Sequence, residues 1–196
     1  MKIGVDIDDT LVEFTKKLIE FYNSKKNTSF EFERLNTWKF EEVFDLSLEE
    51  VLELIREFYF SPELSEVGFV EGAKESLIYL SKKHNILFIT ARHLDIKDAT
   101  SFFIDNHFKD HFEFELIFSS DEWNDGKVKH EICVEKEVDL IIEDRLEYAL
   151  PCSEKGIKVI LLDRSWNQCG TLPENVIRVN NWKEILEKIG EIENGN

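Results

Sequence analysis

The sequence predicts an α/β fold built on a doubly wound parallel sheet, and three features of the chain support this prediction. Short apolar runs recur along the chain, and stretches with helical spacing lie between them. Runs such as 86–89 and 140–142 do not alternate apolar with polar residues, which is typical of strands buried on both faces. The regular succession of strand and helix indicates parallel strands joined by right-handed crossovers.

Five apolar runs are predicted as strands, and a shorter segment as an edge strand. The strands are expected at residues 2–7, 85–90, 115–119, 138–143 and 158–163, with the edge strand at 176–179. The helices are expected at residues 72–83, 94–107, 127–136, 145–155 and 181–190. The polar tail from Glu191 is expected to fray.

The connection between the first two predicted strands is too long for a single crossover. About 77 residues separate these strands, whereas a crossover needs a dozen or so. Residues 12–26 and 47–60 have the apolar spacing of helices, and Ser47 with Glu50 three positions later predicts a capping box. We therefore expect a small helical cap at residues 14–70, inserted into an α/β core formed by residues 1–13 and 71–196.

Composition and charge exclude several classes of function. The 196 residues include 24 basic and 41 acidic side chains, which gives a formal net charge of −17. A nucleic-acid polymer or an anionic membrane would be repelled, but a small phosphate ester can be held by a bound cation and a few basic groups. No run approaches the ~18 apolar residues of a membrane helix, the start of the chain does not resemble a signal peptide, and the three scattered cysteines suggest reduced thiols. We expect a cytoplasmic protein.

Three carboxylates stand at the end of the first predicted strand. Asp6, Asp8 and Asp9 fall within four residues, and strand alternation places Asp6 and Asp8 on the same side of the chain. Like charges so close together favour a cation between them, and oxygen ligands without histidine or thiolate suit Mg²⁺. A solvated acidic turn is the alternative, but the carboxyl ends of central strands are where open α/β sheets bind ligands.

Further polar residues close the second and fourth predicted strands. Glu143 and Asp144 end the fourth strand; if this strand neighbours the first, Asp144 faces Asp6 and can share a metal with it. Asp144 as the N-cap of the helix that begins at Arg145 is a compatible alternative. The second strand ends in Thr90 followed by Ala91, where a hydroxyl and free backbone N–H groups form a small anion cradle.

Taken in order, these motifs resemble the haloacid dehalogenase superfamily, mainly its phosphatases. The matching set is D-x-D-x-T at residues 6–10, an apolar pair followed by Thr at 88–90, Lys129, and Asp144. A helical insertion directly after the first motif looks like the cap that members of this superfamily carry there. Three sequence segments are similar to those of one branch, the 5′(3′)-deoxyribonucleotidases and related nucleotidases. They are Asp-Ile-Asp-Asp-Thr-Leu, Ile-Thr-Ala-Arg and Ile-Ile-Glu-Asp-Arg.

The resemblance implies a role for each carboxylate. Asp6 would attack phosphorus to form an aspartyl phosphate, and Asp8 would serve first as general acid and then as general base. The residues alone do not decide which carboxylate has which role. Mg²⁺ would be held by the side chains of Asp6 and Asp144 and by the main-chain carbonyl of Asp8.

It also implies phosphate-binding groups and one catalytic lysine. The Thr90 hydroxyl and the Ala91 amide would bind phosphate, and a lysine would balance negative charge in the transition state. Lys127 and Lys129 compete for that role, and we favour Lys129 because Lys-His-Glu-Ile-Cys fits the superfamily's pattern of lysine followed by apolar residues better. Arg92 is a candidate phosphate contact.

Several assignments stay open at the level of sequence. Glu143 either binds the metal through water or lies behind Asp144. Arg92 and Arg145 are candidate phosphate or sugar contacts, with surface ion pairs as the alternative. Three aromatic residues of the cap either stack against a base or form the cap's own core. They are Trp38, Phe40 and Phe44.

The leading functional hypothesis is a Mg²⁺-dependent phosphomonoesterase acting on a small phosphate ester, with a (deoxy)nucleoside monophosphate as the favoured substrate. A sugar-phosphate phosphatase or a phosphotransferase of the same superfamily is the first alternative. A phospho-accepting signalling domain is disfavoured, because its acceptor should close a later strand, where this chain has Ser119 and Ser120. A homodimer formed through the cap is left open.

Overall fold

A computed structural model describes residues 1–119 and 126–195 and confirms an α/β fold with a parallel sheet. The strands are β1 (Lys2–Val5), β2 (Asn85–Thr90), β3 (Phe114–Phe118), β4 (Leu140–Glu143), β5 (Lys158–Leu162) and β6 (Val176–Val179). Their order in the sheet is β3-β2-β1-β4-β5-β6, and all neighbours run parallel. Ser120 and Asn196 lie outside the described residues.

The helices predicted between the strands are all present, with bounds that shift by one to three residues. They are α4 (Ala73–Leu80), α5 (Lys97–Phe108), α6 (Lys129–Glu135), α7 (Leu146–Glu154) and α8 (Trp182–Glu193), preceded in the chain by α1 (Phe14–Lys26), α2 (Phe40–Phe44) and α3 (Leu48–Tyr59). The prediction that the tail frays from Glu191 is wrong, because α8 continues to Glu193. Ile192 packs against the core, and the Glu193 carboxylate lies 3.4 Å from Nε2 of His84.

β5 ends one residue earlier than the sequence predicts, and β1 and β4 are each shorter by two residues. β1 ends at Val5, although the N–H of Asp6 still donates to the Ile142 carbonyl at 3.0 Å. β4 begins at Leu140, because the N–H of Val138 turns back to the Cys133 carbonyl at 2.8 Å. Both differences arise where the backbone leaves the regular ladder for a local turn.

The absence of alternation in the strands is explained by burial on both faces of the sheet. One face packs against α4, α5 and α8, and the other packs against α6 and α7. Phe88 and Ile142 lie in the first core, whereas Ile89 and Ile141 lie in the second. Helices on both faces are the arrangement of a doubly wound fold, and this strand order reverses its direction at β1.

Helices α1, α2 and α3 all lie in the long connection after β1, as predicted for an insertion. The Ser47 side chain accepts from the N–H of Glu50 and the Glu50 carboxylate accepts from the N–H of Ser47, so the predicted capping box is present. The two segments that lead into and out of this connection run side by side. The N–H of Glu13 donates to Gly68 and that of Val70 to Leu11, both at 2.9 Å. The division into core and cap at residues 14–70 stays a prediction.

Candidate active site at the carboxyl edge of the sheet

The candidate side chains meet because three neighbouring strands end at the same edge of the sheet. Asp6 and Asp8 follow β1, Thr90 ends β2, and Asp144 follows β4. Since β1 lies between β2 and β4, these ends are adjacent at the point where the strand order reverses. Open α/β sheets bind their ligands in this crevice.

Lys129 is the lysine that reaches this edge. It is the first residue of α6, its side chain is almost completely buried, and its ammonium contacts the carboxylates of both Asp6 and Glu143. Burial alone would lower the pKa of Lys129, but the charges of Asp6 and Glu143 raise it above its ordinary value. Lys127 is exposed and pairs with Glu135 instead. The structure therefore brings Lys129, and not Lys127, to Asp6.

Asp6 carries a carboxylate that burial makes costly to ionise. Burial is the largest cause that raises its pKa to about 7, and the charges of Glu143 and Asp8 add to it, while Lys129 works in the opposite direction. A cation placed against this carboxylate would favour the ionised form.

Glu143, whose role the sequence left open, has both oxygens engaged. Its side chain is fully buried, with Oε1 on the Lys129 ammonium. Oε2 accepts the backbone N–H of Asp144 at 2.7 Å and that of Arg145 at 2.9 Å. Glu143 therefore holds Lys129 and the start of α7 together.

Asp144 is held by two neutral donors. The Thr10 hydroxyl donates to Oδ1 at 3.2 Å, and the Trp166 indole N–H donates to Oδ2 at 2.9 Å. Burial, followed by the charges of Asp6 and Asp9, raises the pKa of Asp144 to about 7. The N-cap alternative for Asp144 is wrong. Arg145 occupies that position, and Glu143 accepts the N–H groups of residues 144 and 145.

Asp8 forms an ion pair with Arg92. Nε of Arg92 lies 3.2 and 2.9 Å from the two carboxylate oxygens, and Nη2 lies 2.7 Å from Oδ1. The guanidinium is buried near the rings of Phe14 and Tyr59, at 6.0 and 5.5 Å from their centroids. The sequence left a phosphate or sugar contact and a surface ion pair as alternatives for Arg92. The structure shows an ion pair with the second carboxylate of the first motif, and this pair is buried on the Arg92 side.

The third carboxylate of this motif, Asp9, stabilises the loop after β1, because its side chain binds Thr15. Its backbone is left-handed, with φ of 58°, a conformation that aspartate tolerates better than most residues. Its side chain accepts from the backbone N–H and the hydroxyl of Thr15, and its carbonyl accepts from the Arg164 guanidinium. No pattern in the sequence pointed to the Arg164 contact.

β2 ends at Thr90 and is followed by Ala91, two residues predicted to bind phosphate. Thr90 is buried, and its hydroxyl oxygen accepts the backbone N–H of Arg92 at 3.2 Å, which leaves the hydroxyl proton to be donated. The N–H of Ser119 donates to the Thr90 carbonyl at 2.8 Å and fixes the strand end. Ala91 lines the same cleft as Asp6 and Asp8.

The donor set at this edge fits Mg²⁺. Within residues 1–119 and 126–195, one group of carboxylates lies close enough to share a cation, with ligand oxygens within 4.8 Å of one another. It consists of Asp6, Glu143 and Asp144. Glu143 accepts three donors, two of them on Oε2, whereas Asp144 accepts one donor on each oxygen and Asp6 accepts Lys129 on Oδ1. Asp6 and Asp144 therefore have more acceptor capacity left for a cation. A ligand set made of carboxylate oxygens, with no nitrogen or sulfur ligand in the group, suits a hard cation.

A cleft joins these residues to the α1–α3 segment. Its floor includes Asp6, Asp8 and Asp144, and its walls are largely apolar, including Phe14, Leu52, Ile55 and Tyr59. Because it combines apolar walls with a few convergent polar groups, it has the character of a small-molecule site.

The three cap aromatics have different surroundings. Phe44 is buried and stacks on Tyr22, with ring centroids 4.0 Å apart, and Phe40 stacks on Phe44. Trp38 lines the cleft, and the guanidinium carbon of Arg145 lies 3.6 Å from its ring centroid. Phe44 therefore belongs to a packed core, Trp38 faces the site, and Phe40 contributes to both.

Within the part of the chain that the structure describes, every helix is too short or too polar to cross a bilayer. All three cysteines are free thiols; Cys133 and Cys152 are buried, and Cys169 is exposed.

The chain is similar to known proteins in sequence and in fold. A nucleotidase of Clostridium acetobutylicum, CA_C3379, is 27% identical over 187 residues, which cover 94% of this chain and 91% of that protein. SP0104 of Streptococcus pneumoniae, a haloacid dehalogenase-like hydrolase, has a similar fold with a TM-score of 0.66 and 17% identity over 96% of this chain and 97% of its own. YfnB of Bacillus subtilis, solved bound to magnesium, has a TM-score of 0.61 and 15% identity over 96% of this chain and 97% of its own.

A family model matches nearly the whole chain. Residues 1–193 match the family described as "5′ nucleotidase, deoxy (Pyrimidine), cytosolic type C protein". This match includes all the strand-end residues described above, so the resemblance inferred from the motifs is confirmed. The chain belongs to this family of cytosolic type C 5′ nucleotidases and is a nucleotidase-type hydrolase of the haloacid dehalogenase superfamily.

Proposed function

We propose that this protein is a Mg²⁺-dependent phosphomonoesterase that hydrolyses (deoxy)nucleoside monophosphates through an aspartyl phosphate. The observation that carries the proposal is the convergence of Asp6, Asp144 and the Lys129 ammonium at one strand-end crevice, with Asp8 beside them. The magnesium-bound relative of the same fold supports the choice of metal. The family description supports a nucleotide substrate and a cytoplasmic location.

In the first step, a carboxylate oxygen of Asp6 attacks phosphorus, and the bond from phosphorus to the ester oxygen breaks. Asp8 donates a proton to the departing alkoxide. In the second step, water attacks the phosphorus of the aspartyl phosphate, gives a proton to Asp8 and releases inorganic phosphate, which restores Asp6. The Lys129 ammonium balances charge on the phosphoryl oxygens.

The other strand-end groups bind and orient the phosphate. Thr90 would donate its hydroxyl proton and Ala91 its backbone N–H to phosphoryl oxygens, whereas Arg92 would act through the position of the Asp8 carboxylate. Mg²⁺, held by Asp6, Asp144 and the carbonyl of Asp8, would supply positive charge against the same oxygens. Asp8 is thus proposed to contribute its backbone to the metal and its side chain to proton transfer.

The cleft walls favour a nucleotide over a plain sugar phosphate. A sugar offers hydroxyl groups that need polar partners, whereas a base offers a flat apolar face. Trp38, Tyr59, Leu52 and Ile55 provide apolar surface around the polar floor. Stacking against such surface contributes roughly 1–3 kcal/mol per base.

The test is phosphate release from a panel of nucleoside and deoxynucleoside 5′- and 3′-monophosphates and sugar phosphates, each with Mg²⁺ or EDTA. Asp6→Asn should abolish release, because an amide is a poor nucleophile. Asp139→Asn is the matched control: it makes the same change at an exposed carboxylate at the opposite end of β4, and it should keep full activity.

The intermediate has its own readout. An acid-quenched reaction should contain phosphorylated chain by intact-mass measurement, and Asp6→Asn should contain none. Release that continues in EDTA would contradict the metal requirement. Equal rates on sugar phosphates and nucleotides would contradict the proposed substrate.

A further inference from the structure

Trp166 lies outside every motif that the sequence singled out, yet it contacts the proposed metal ligand Asp144. It belongs to a 3₁₀ turn, Ser165–Asn167, that follows β5. Because β5 is the neighbour of β4 in the sheet, this turn lies beside the strand end that carries Asp144. The indole N–H donates to Oδ2 of Asp144 at 2.9 Å.

The hydrogen bond from Trp166 completes a pair that fixes the plane of the carboxylate. The Thr10 hydroxyl holds Oδ1, and the indole holds Oδ2. Neither donor is charged, so neither neutralises the carboxylate as an arginine or lysine would. An ionised carboxylate has about four lone-pair sites, so each oxygen can still accept a cation. The surroundings of Asp144 therefore orient the group without using up its negative charge.

The neighbouring Asn167 anchors the turn itself. Its Nδ2 donates to the Asp144 carbonyl at 2.6 Å and to the Leu162 carbonyl at 2.8 Å, which ties the turn to the ends of β4 and β5. Its Oδ1 accepts the backbone N–H of Arg164 at 3.2 Å. Asn167 is almost completely buried. The turn is thus built to hold the indole at a fixed place relative to Asp144.

The segment between α1 and α2 supports the indole from the other side. Phe32 lies edge-on to the Trp166 ring, with centroids 5.7 Å apart and planes at 81°. This contact restricts rotation of an indole that is otherwise only partly buried. A positioned donor loses less conformational freedom when it orients its partner.

We propose that Trp166 is a positioning residue for metal binding: its indole N–H holds the Asp144 carboxylate in the orientation that binds Mg²⁺. The inference rests on the proposed function, since it assumes that Asp144 is a metal ligand. Groups that orient metal ligands typically change metal affinity by 10–100-fold when they are removed. Trp166 should therefore matter to Mg²⁺ affinity before any substrate is present.

The experiment measures the Mg²⁺ affinity of the metal-free protein by calorimetry. As a second probe, the affinity for Mn²⁺ is measured from the electron paramagnetic resonance signal of the free ion. Trp166→Phe removes the N–H and keeps an aromatic ring, and it should weaken binding about tenfold or more. Trp38→Phe is the matched control, because it removes an indole N–H that donates to Glu147 and not to a proposed metal ligand. Its Mg²⁺ affinity should equal that of the natural protein.

The outcomes separate this inference from the proposed function. Unchanged affinity in Trp166→Phe, or an equal loss in Trp38→Phe, overturns the role of Trp166 while the metal site stands. If the natural protein binds no more Mg²⁺ than Asp144→Asn does, the metal site and the inference are overturned together. Circular dichroism in EDTA checks folding. If the Phe variant is unfolded, Trp166→Leu on the same partly exposed turn replaces it, with the same expected loss.

Discussion

Asp6 and Asp8 project from the same strand end, but their partners give them different chemical environments. Asp6 lies beside Lys129 and Asp144, where a phosphoryl group and a cation would meet. Asp8 pairs with Arg92, outside the carboxylate cluster. Two carboxylates that share a motif are thereby separated into one group that faces Lys129 and Asp144 and one that faces the Arg92 guanidinium.

At this same scale, Lys129→Met should abolish phosphate release and destabilise the fold. The substitution leaves Asp6 and Glu143 buried without their shared cation, and breaking a buried ion pair typically costs about 3–5 kcal/mol. We expect activity to fall by at least about 10², the size of effect seen for a single group that stabilises developing charge. Urea denaturation and initial rates measure the two effects.

Lys127→Met is the matched control for this prediction. Lys127 is exposed and pairs with the exposed Glu135, and such surface pairs contribute about 0–1 kcal/mol. Activity and unfolding free energy should both stay near the values of the natural protein. A larger loss of activity from Lys127→Met than from Lys129→Met would contradict the assignment.

At the scale of elements, side chains from the neighbouring strands pack closely over β1, the strand that leads to Asp6. Gly4 lies in the middle of β1, and a Cβ there would meet Ile89 Cδ1 at 3.2 Å, Ile141 Cγ1 at 3.3 Å and Val138 Cγ1 at 3.4 Å. Protein interiors are packed densely enough that such an atom has no free space. The missing side chain allows neighbouring residues to close over the central strand that carries Asp6.

Gly4→Ala should therefore destabilise the protein by about 1–3 kcal/mol, the usual cost of an added methyl group in a packed core. Gly190→Ala in α8 is the control with the opposite expected sign. A Cβ at Gly190 has no neighbour within 4 Å, and alanine favours a helix over glycine by about 1 kcal/mol. Chemical denaturation measures the free energy of unfolding of both variants. Stabilisation by Gly4→Ala would contradict the close packing around Gly4.

At the scale of the whole molecule, a chain of net charge −17 buries a cluster of carboxylates without enough cations of its own. Burial raises the pKa of Asp6 and of Asp144 to about 7. Without metal, the folded protein holds protons near neutral pH that the unfolded chain has already released. A bound cation would take the place of these protons.

Stability of the metal-free protein should consequently fall as pH rises through about 7. Both groups have a folded-state pKa above the ordinary value of 3.8, so the stability that they contribute is present at low pH and lost as pH rises. We expect a loss of about 1–2 kcal/mol between pH 6.5 and 8.5. His84 and His107, whose pKa values burial lowers, act in the opposite sense and oppose this loss at the lower end of the range.

Urea denaturation in EDTA at the two pH values measures this loss. Asp144→Asn should reduce the pH dependence, because one of the two titrating groups is gone. Saturating Mg²⁺ should also reduce it, since the metal binds the ionised carboxylates. Stability that rises with pH in EDTA would contradict the raised pKa values of Asp6 and Asp144.

The sequence by itself determined the fold class and the order of the strand-end motifs. Hydrophobic periodicity is a local property, so the buried strands, the helices between them and the Ser47 capping box could be predicted. Asp6, Thr90 and Asp144 could be assigned to one edge because parallel strands end together. The end of α8 could not be predicted, because it depends on contacts of Ile192 and Glu193 with distant residues.

The tertiary structure decided which side chains are paired and which remain available. Three contacts join residues far apart in the chain: the Arg92 pair with Asp8, the Glu143 contact with Lys129, and the indole of Trp166 on Asp144. Local spacing carries no information about such pairs. Their formation depends on the free energy of burying charge, which is set only when the strand ends and the turn after β5 come together.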